Sequence, residues 1–188
     1  MKKISIVFLL LFVLVSCAPA GYRFSMLKPE STPNIKYSDE NIEIFFSFPT
    51  HAMMGVEGTL QYRQYTGIGF VLKNKTNETI TINWDRVAIK DAHGRSGNQV
   101  MHTGMKYNEC SSLKAVTVIP AKSQTSDTVI PCYALQFRTG GGWVNPYWNI
   151  SMLPSPRQLS KADIGLFMPL QIGNKNVDYN FEFQAVAQ

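Results

Sequence analysis

The chain has 188 residues, of which 45% are hydrophobic and 16% are charged, a composition typical of one globular domain and too apolar for a disordered chain. Its 18 basic residues exceed its 13 acidic residues, for a formal charge of +5. The basic residues are scattered and are not interleaved with aromatic ones, which argues against a nucleic-acid partner.

The first 16 residues have the features of a secretory signal peptide. Lys2 and Lys3 give a positive start, and residues 4–15 are apolar apart from Ser5, as such signals require. This run is shorter than the ~20 residues that an α-helix needs to span a bilayer. We therefore expect residues 1–16 to be a signal peptide and not a permanent transmembrane helix.

The signal ends in Leu14-Val15-Ser16-Cys17, which resembles the lipobox of bacterial lipoproteins. The resemblance implies cleavage before Cys17, a diacylglyceryl group on its thiol and a further acyl chain, such as palmitate, on the new amino terminus. Several acyl chains give stable membrane attachment where a single chain is marginal. An ordinary signal peptide followed by an incidental cysteine is the alternative.

Ala18 follows the cysteine. In Gram-negative lipoproteins an Asp at this position tends to retain the protein in the inner membrane. If the source is Gram-negative, the resemblance therefore implies an outer-membrane lipoprotein of the cell envelope.

Residues 17–39 show no periodicity and contain Pro19, Gly21, Pro29 and Pro33. Such a segment is typical of a loop or linker. We expect residues 17–39 to form a flexible tether and residues 40–188 to form the folded domain.

Apolar residues alternate with polar ones in short runs along the rest of the chain. A period of two, rich in β-branched and aromatic residues, is typical of β-strands. No segment longer than ten residues after Cys17 shows helical periodicity. The predicted strands are residues 41–48, 67–73, 79–84, 87–90, 99–102, 115–119, 125–130, 165–172 and 176–184.

Turn residues connect several of these runs. The polar segment 74–78 suits a hairpin between the second and third predicted strands, and Gly173-Asn174-Lys175-Asn176 predicts a C-terminal hairpin. About eight or nine short strands joined by turns favour an all-β, antiparallel sandwich. Closure into a small barrel is the alternative.

Three strings resemble pieces of immunoglobulin-like domains of bacterial lipoproteins. They are GFVLKNKT at residues 69–76, I-x-INWD at residues 80–85 and VIPA-x-S at residues 118–123. The resemblance spans about residues 40–185 and implies an immunoglobulin-like β-sandwich. It implies no activity, because one fold hosts many functions.

Cys110 and Cys132 remain once Cys17 is assigned to lipid. A secreted domain lies in an oxidising compartment, so we expect them to form a disulfide. Two free thiols are the alternative. A catalytic redox pair is less favoured because the sequence contains no Cys-x-x-Cys.

Two groups of soft ligands stand out. The first contains His51, Met53 and Met54, and the second contains Met101, His102 and Met105. Thioether and imidazole ligands suit Cu(I), which predicts copper binding as an alternative function. The competing interpretation is that the methionines fill the core, because Met101 and His102 fall on opposite faces of an extended strand.

Residues 140–148 form the most unusual loop, with three consecutive glycines followed by Trp143, Tyr147 and Trp148. Aromatic side chains on such a loop suit contact with a sugar or a partner protein. The alternative is that the two tryptophans plug an open end of the sandwich.

Motifs of the common hydrolases and nucleotide-binding enzymes are absent from the sequence, including Gly-x-Ser-x-Gly, His-Glu-x-x-His and the P-loop. We therefore expect a non-enzymatic, membrane-anchored envelope module that needs no cofactor and binds an envelope protein or polymer. A copper-handling protein is the alternative.

Overall fold

The computed structural model describes residues 21–30, 32–54, 60–97, 99–139 and 147–188, with the backbone alone at residues 51–54, 60–63, 147 and 148. The described residues form sixteen β-strands and three short 3-10 helices. The strands are β1 Tyr22–Lys28, β2 Lys36–Ser38, β3 Ile42–Ser47, β4 Thr50–Met54, β5 Leu60–Tyr65, β6 Ile68–Asn74, β7 Ile80–Ile82, β8 Ala88–Lys90, β9 Ser96–Gly97, β10 Val100–Met101, β11 Thr117–Ile119, β12 Gln124–Pro131, β13 Leu135–Arg138, β14 Tyr147–Ile150, β15 Lys161–Ile172 and β16 Lys175–Ala187. The 3-10 helices are Trp84–Arg86, Tyr107–Glu109 and Cys132–Ala134.

Two antiparallel sheets form the body of the domain. The larger has the order β1-β16-β15-β7-β11, with β8 beside β15 and β9 beside β8, and the smaller has the order β10-β12-β6-β3-β2. Neither sheet closes into a barrel. This confirms an all-β, antiparallel architecture and excludes the barrel.

The two sheets pack face to face through the apolar sides of their strands. Phe46 on β3 lies 4.7 Å from Phe181 and 4.9 Å from Phe183 on β16, measured between ring centroids. Ile42 and Ile44 share the inward face of β3 with Phe46 and are buried. The alternation in the sequence therefore produces one continuous core, because successive side chains of a strand point to opposite faces.

Each of the nine predicted strands overlaps an observed one, with ends that differ by at most four residues. The expected number of strands was nevertheless too low. The strands that the periodicity did not reveal are β1, β2, β4, β5, β9, β13 and β14. All of them lie outside the nine alternating runs, and most are in or beside segments rich in glycine, proline or polar residues.

The first two strands fall within residues 17–39, where we expected a tether. β1 pairs with β16 from Tyr22 opposite Ala187 onward, and both Tyr22 and Met26 are buried. Apolar side chains at Tyr22, Phe24 and Met26 alternate with polar ones in this strand, although glycine and prolines surround it. Strands β1 and β2 therefore belong to the folded domain, which does not start at residue 40 as expected.

The C-terminal hairpin is confirmed, but the hairpin predicted at residues 74–78 is wrong. β15 and β16 pair from Lys161 opposite Val186 to Ile172 opposite Lys175, and Gly173 in the turn has a φ of 54°, which glycine adopts without strain. β6 and β7, by contrast, belong to different sheets, and segment 74–78 crosses between them.

Two narrow β-ribbons extend one end of the sandwich. β4 and β5 prolong the β3–β6 pair, since Thr50 pairs with Tyr65 soon after Ser47 pairs with Gly69. β13 and β14 form the second ribbon, which follows β12 after the 3-10 helix Cys132–Ala134. We call this the ribbon end. The opposite end, which we call the turn end, contains segments 39–41, 74–78, 120–123 and 173–174.

Candidate functional site

The two ribbons lie side by side at their bases. The Gln64 side-chain amide donates a hydrogen bond of 2.8 Å to the Asn149 side-chain oxygen. The Met152 amide donates to the Tyr65 carbonyl at 2.8 Å, and the Ser151 amide donates to the Ala134 carbonyl at 3.0 Å. Gln64 is buried, so this hydrogen bond belongs to the packed base of the ribbons and is not an incidental surface contact.

A cavity of about 330 Å³ opens at the base of the ribbons. It brings together the second soft-ligand group, because Met101, His102 and Met105 all line it. The other lining residues are Pro49, Thr66, Thr103, Gly104, Tyr107, Thr128, Ile130 and Ile150.

Met101 and His102 reach one cavity because β10 ends at Met101. Residues 103 and 104 turn the chain directly afterward, and Gly104 has a φ of 93°, a conformation that favours glycine. We expected the two side chains to lie on opposite faces of an extended strand, but because the strand ends here, both line the same cavity. Met101 is only 1% exposed, yet it is absent from the cluster of side chains that forms the main core.

His102 is held between an aromatic ring and a carboxylate. Its ring stacks on Trp84 with centroids 4.4 Å apart and planes at 6°. Its Nδ1 lies 3.3 Å from Asp127 Oδ2, at an angle outside hydrogen-bond geometry, so Nδ1 is buried without a hydrogen-bond partner. Trp84 is itself fixed by the 2.9 Å hydrogen bond that its Nε1 donates to Thr117 Oγ1.

The Asp127 carboxylate is oriented by the backbone. Its Oδ1 accepts hydrogen bonds of 2.7 Å from the amides of Thr103 and Thr128, which leaves Oδ2 facing the imidazole. The carboxylate therefore faces Nδ1 without a hydrogen bond, and a metal ligand role for His102 would fall to Nε2.

The first soft-ligand group lies on the neighbouring ribbon. Its residues are all in β4, where His51 pairs with Gln64, Met53 with Tyr62 and Met54 with Leu60. The base of this ribbon, at Pro49 and Thr66, also lines the cavity. The two groups that the sequence singled out are therefore at the same end of the domain.

The predicted partner-binding aromatics belong to the other ribbon. Tyr147 and Trp148 begin β14, and their backbones pair with Arg138 and Phe137. Phe137 is 53% exposed. Trp143 and the three glycines lie outside the described residues.

Cys110 and Cys132 lie within disulfide-bonding distance of each other, with their Cα atoms 5.9 Å apart. Cys132 starts the 3-10 helix that leads into β13, and Cys110 follows the 3-10 helix Tyr107–Glu109. The pair therefore connects the loop that carries Met105 to the base of the second ribbon. Cys17 lies outside the described residues.

An aromatic groove beside the first ribbon was missed at the sequence level. Phe24 stacks on Phe48 at 3.6 Å between centroids, and Tyr65 packs edge-on against Phe24 at 5.1 Å. The groove has a volume of about 390 Å³ and is lined by Tyr22, Phe24, Ile35, Phe46, Ser47, Phe48, Thr50 and Tyr65. The alternation at Tyr22 and Phe24 was the signal that could have revealed it.

Within the described ranges, no group of three His, Cys, Asp or Glu side chains is placed to hold a metal ion. The helices in that part of the chain are all too short or too polar to cross a membrane. Comparison of the chain with protein-family models, curated proteins and solved structures found no match.

Proposed function

We propose that this chain is a lipid-anchored lipoprotein of the bacterial cell envelope, and that its domain is a non-enzymatic binding or structural module. The observation that carries the proposal is the sequence Leu14-Val15-Ser16-Cys17. It stands after a positively charged and apolar segment and five residues before the first strand, at Tyr22. An acylated Cys17 would hold the domain at the membrane of the envelope, the outer membrane if the source is Gram-negative.

The finer assignment of the fold is also part of this proposal. Two antiparallel sheets packed face to face are compatible with an immunoglobulin-like sandwich. The crossing of segment 74–78 from one sheet to the other favours it, since connections between the two sheets are typical of such sandwiches.

We place the binding surface at the ribbon end. Both ribbons, the cavity and the exposed Phe137 lie there. Aromatic residues are enriched in binding hot spots because they offer large rigid surfaces with polar groups at the edge. An envelope protein or polymer is the kind of partner that this surface suits.

Replacement of the anchor residue tests the proposal. Cys17→Ser should leave an unacylated, uncut or mislocalised precursor, whereas Cys110→Ser should still be acylated and sorted. Recovery of the Cys17→Ser chain in the membrane fraction with the acyl mass of the wild type would refute the anchor. Purification of the tagged lipoprotein from its own envelope, followed by mass spectrometry, would then identify the partner.

A second candidate function is the handling of Cu(I). It is favoured by one observation, the convergence of Met101, His102 and Met105 on one cavity. Two thioethers and an imidazole form a soft donor set that suits Cu(I). Trp84, stacked on His102 with ring centroids 4.4 Å apart, would hold the imidazole in place.

Titration with Cu(I) separates the two functions. A chain that handles copper should lose its affinity when Met101→Leu, His102→Gln and Met105→Leu are combined. His93→Gln is the matched control, because His93 lies in an exposed turn and does not line the cavity. Equal affinity in the triple variant and the wild type would exclude this second function.

A further inference from the structure

The ribbon end is also the end at which the chain enters the domain. Tyr22 begins β1, and its amide donates a 2.7 Å hydrogen bond to the phenol oxygen of Tyr65, the last residue of β5. The Tyr22 hydroxyl donates to the carbonyl of Leu159 at 2.6 Å. The start of β1 is therefore fixed between the base of the first ribbon and the loop that follows the second.

Only five peptide steps separate Cys17 from Tyr22. Five residues span at most about 18 Å even when fully extended. β16 alone has 13 residues, about 43 Å at the usual rise of a strand. If Cys17 carries the lipid, the ribbon end is thus within reach of the membrane surface. When the long axis of β16 is perpendicular to the membrane, the turn end is held away from that surface.

The exposed ionic side chains around the point where the chain enters the domain are mostly basic. The acidic residues nearby are Asp163, two residues after Lys161 on the same strand face, and the buried Asp91, which is paired with Arg95. The described segments 21–24, 48–50, 64–66, 135–138 and 149–161 contain four basic residues and no Asp or Glu: Arg23, Arg138, Arg157 and Lys161. All four are exposed. Arg23 and Lys161 flank Val186 in neighbouring strands, since both pair with it in the register, so they lie on the same face of the sheet.

The turn end differs in charge. There Asp39, Glu40 and Glu78 balance Lys75, Lys122 and Lys175, and the Lys75 ammonium group contacts the Asp39 carbonyl. An anionic surface therefore attracts the ribbon end and gains little at the turn end. Such an attraction acts over about a Debye length, roughly 8–10 Å at physiological salt, a distance that the short connection to Cys17 allows.

We infer that the ribbon end docks on the bilayer that holds the anchor, with anionic lipid headgroups as its partner. This inference rests on the proposed acylation of Cys17 and adds the bilayer as a contact of the ribbon end, beside the proposed protein or polymer partner. Arg23, Arg157 and Lys161 bind the headgroups. The groove formed by Phe24 and Phe48 lies at the level where aromatic side chains are favoured at membrane interfaces. A lipid anchor and a basic patch together attach a protein more firmly than the anchor alone.

Lysine footprinting of the acylated protein tests the inference. The mature chain is reconstituted in vesicles of phosphatidylcholine alone or of phosphatidylcholine with phosphatidylglycerol, and a membrane-impermeant acetylating reagent is added. Lys161 at the ribbon end and Lys175 at the turn end are both exposed, so Lys175 is an internal reference. Acetylation of Lys161 relative to Lys175 should fall about 5-fold in the anionic vesicles, which corresponds to about 1 kcal/mol for one basic residue near such a surface.

Charge variants distinguish a local contact from general attraction. Arg23→Gln with Arg157→Gln should restore the ratio to its value in phosphatidylcholine. The control is Lys73→Gln with Lys122→Gln, which removes the same charge from exposed positions near the turn end and should leave the protection of Lys161 intact. Equal loss in the two double variants would overturn the inference.

The mass of the N-terminal peptide separates this inference from the function on which it rests. An acylated chain whose Lys161 reacts equally in both kinds of vesicle overturns the docking but leaves the anchor. A chain without the acyl mass at Cys17 overturns both. Protection of Lys161 that disappears at high salt, in a chain with the acyl mass, supports the basic contact with the headgroups.

Discussion

Tyr22 and Tyr65 exchange hydrogen bonds across 43 residues of sequence. The Tyr22 amide donates to the Tyr65 phenol oxygen at 2.7 Å, and the Tyr65 hydroxyl donates to the Tyr22 carbonyl at 3.2 Å. Tyr65 is 4% exposed and Tyr22 is 7% exposed. One phenol group therefore satisfies both backbone groups at the start of β1 and attaches that strand to the first ribbon.

Tyr65→Phe should destabilise the domain by about 1–3 kcal/mol, because it leaves the buried amide of Tyr22 without an acceptor. Urea denaturation of the two proteins would measure the difference as a lower midpoint with an unchanged m-value. Amide hydrogen exchange should also accelerate at residues 22–24 more than at the β15–β16 hairpin.

Tyr133→Phe is the matched control for this experiment. Tyr133 is 44% exposed, and removal of its hydroxyl should change stability by less than about 0.5 kcal/mol, as is usual for surface substitutions. If Tyr65→Phe were as stable as Tyr133→Phe, the two hydrogen bonds would have no role in holding β1.

The sequence predicted the strands whose apolar residues alternate without interruption, and these form the body of both sheets. It did not predict the ribbons, because β4, β5, β13 and β14 lie in polar or glycine-rich segments whose pairing is decided by neighbouring strands. The crossing at segment 74–78 was missed for a similar reason. Turn residues specify that the chain bends, but not which sheet receives the next strand.

The site was predicted in pieces and not as a whole. Each soft-ligand group and the residues Tyr147 and Trp148 of β14 stood out by residue type, but their convergence on one end depends on contacts far apart in sequence, such as Gln64 with Asn149. The stacking of His102 on Trp84 also has no signal in local sequence. The basic character of the ribbon end arises in the same way, since Arg23 and Lys161 meet only across β16.

Cys110 and Cys132 should resist alkylation until a reductant is added, because their Cα atoms are 5.9 Å apart, a separation typical of disulfides. Nonreducing peptide mass analysis would detect the linked pair. Cys110→Ser with Cys132→Ser should lower stability by about 3 kcal/mol in the chain-entropy model while the fold persists. Alkylation of both thiols without reductant would contradict the pairing.

Asp91 makes stability depend on pH in the acidic range. Its burial would raise the pKa, but hydrogen bonds from Arg95 and the His93 amide outweigh that effect and hold the pKa of Asp91 below its usual range. A carboxyl whose pKa is lower in the folded state stabilises the fold above its unfolded pKa, about 3.9. That contribution is lost as the pH falls below about 4 and through the folded pKa.

Asp91→Asn should therefore cost about 1.5–3 kcal/mol near neutral pH, as loss of hydrogen bonds to a charged group does, and less as the pH falls below about 4. Urea denaturation across a pH series would measure this convergence. Asp178→Asn is the control at an exposed position, and its free energy of unfolding should follow that of the wild type across the pH series. A gap that stayed constant to the lowest pH would contradict the role of the Asp91 carboxylate.

The two tryptophans of residues 140–148 provide the last prediction. A tryptophan packed fully in a core costs about 3–5 kcal/mol when replaced by Ala, whereas an exposed contact residue costs little. If the ribbon end is a binding surface, Trp143→Ala and Trp148→Ala should each leave the melting temperature nearly unchanged and weaken attachment to the partner. Trp84→Ala is the opposite control, because Trp84 is fully buried and its loss should destabilise the domain strongly. A large fall in melting temperature for both loop variants would make these tryptophans a structural plug and remove them from the binding surface.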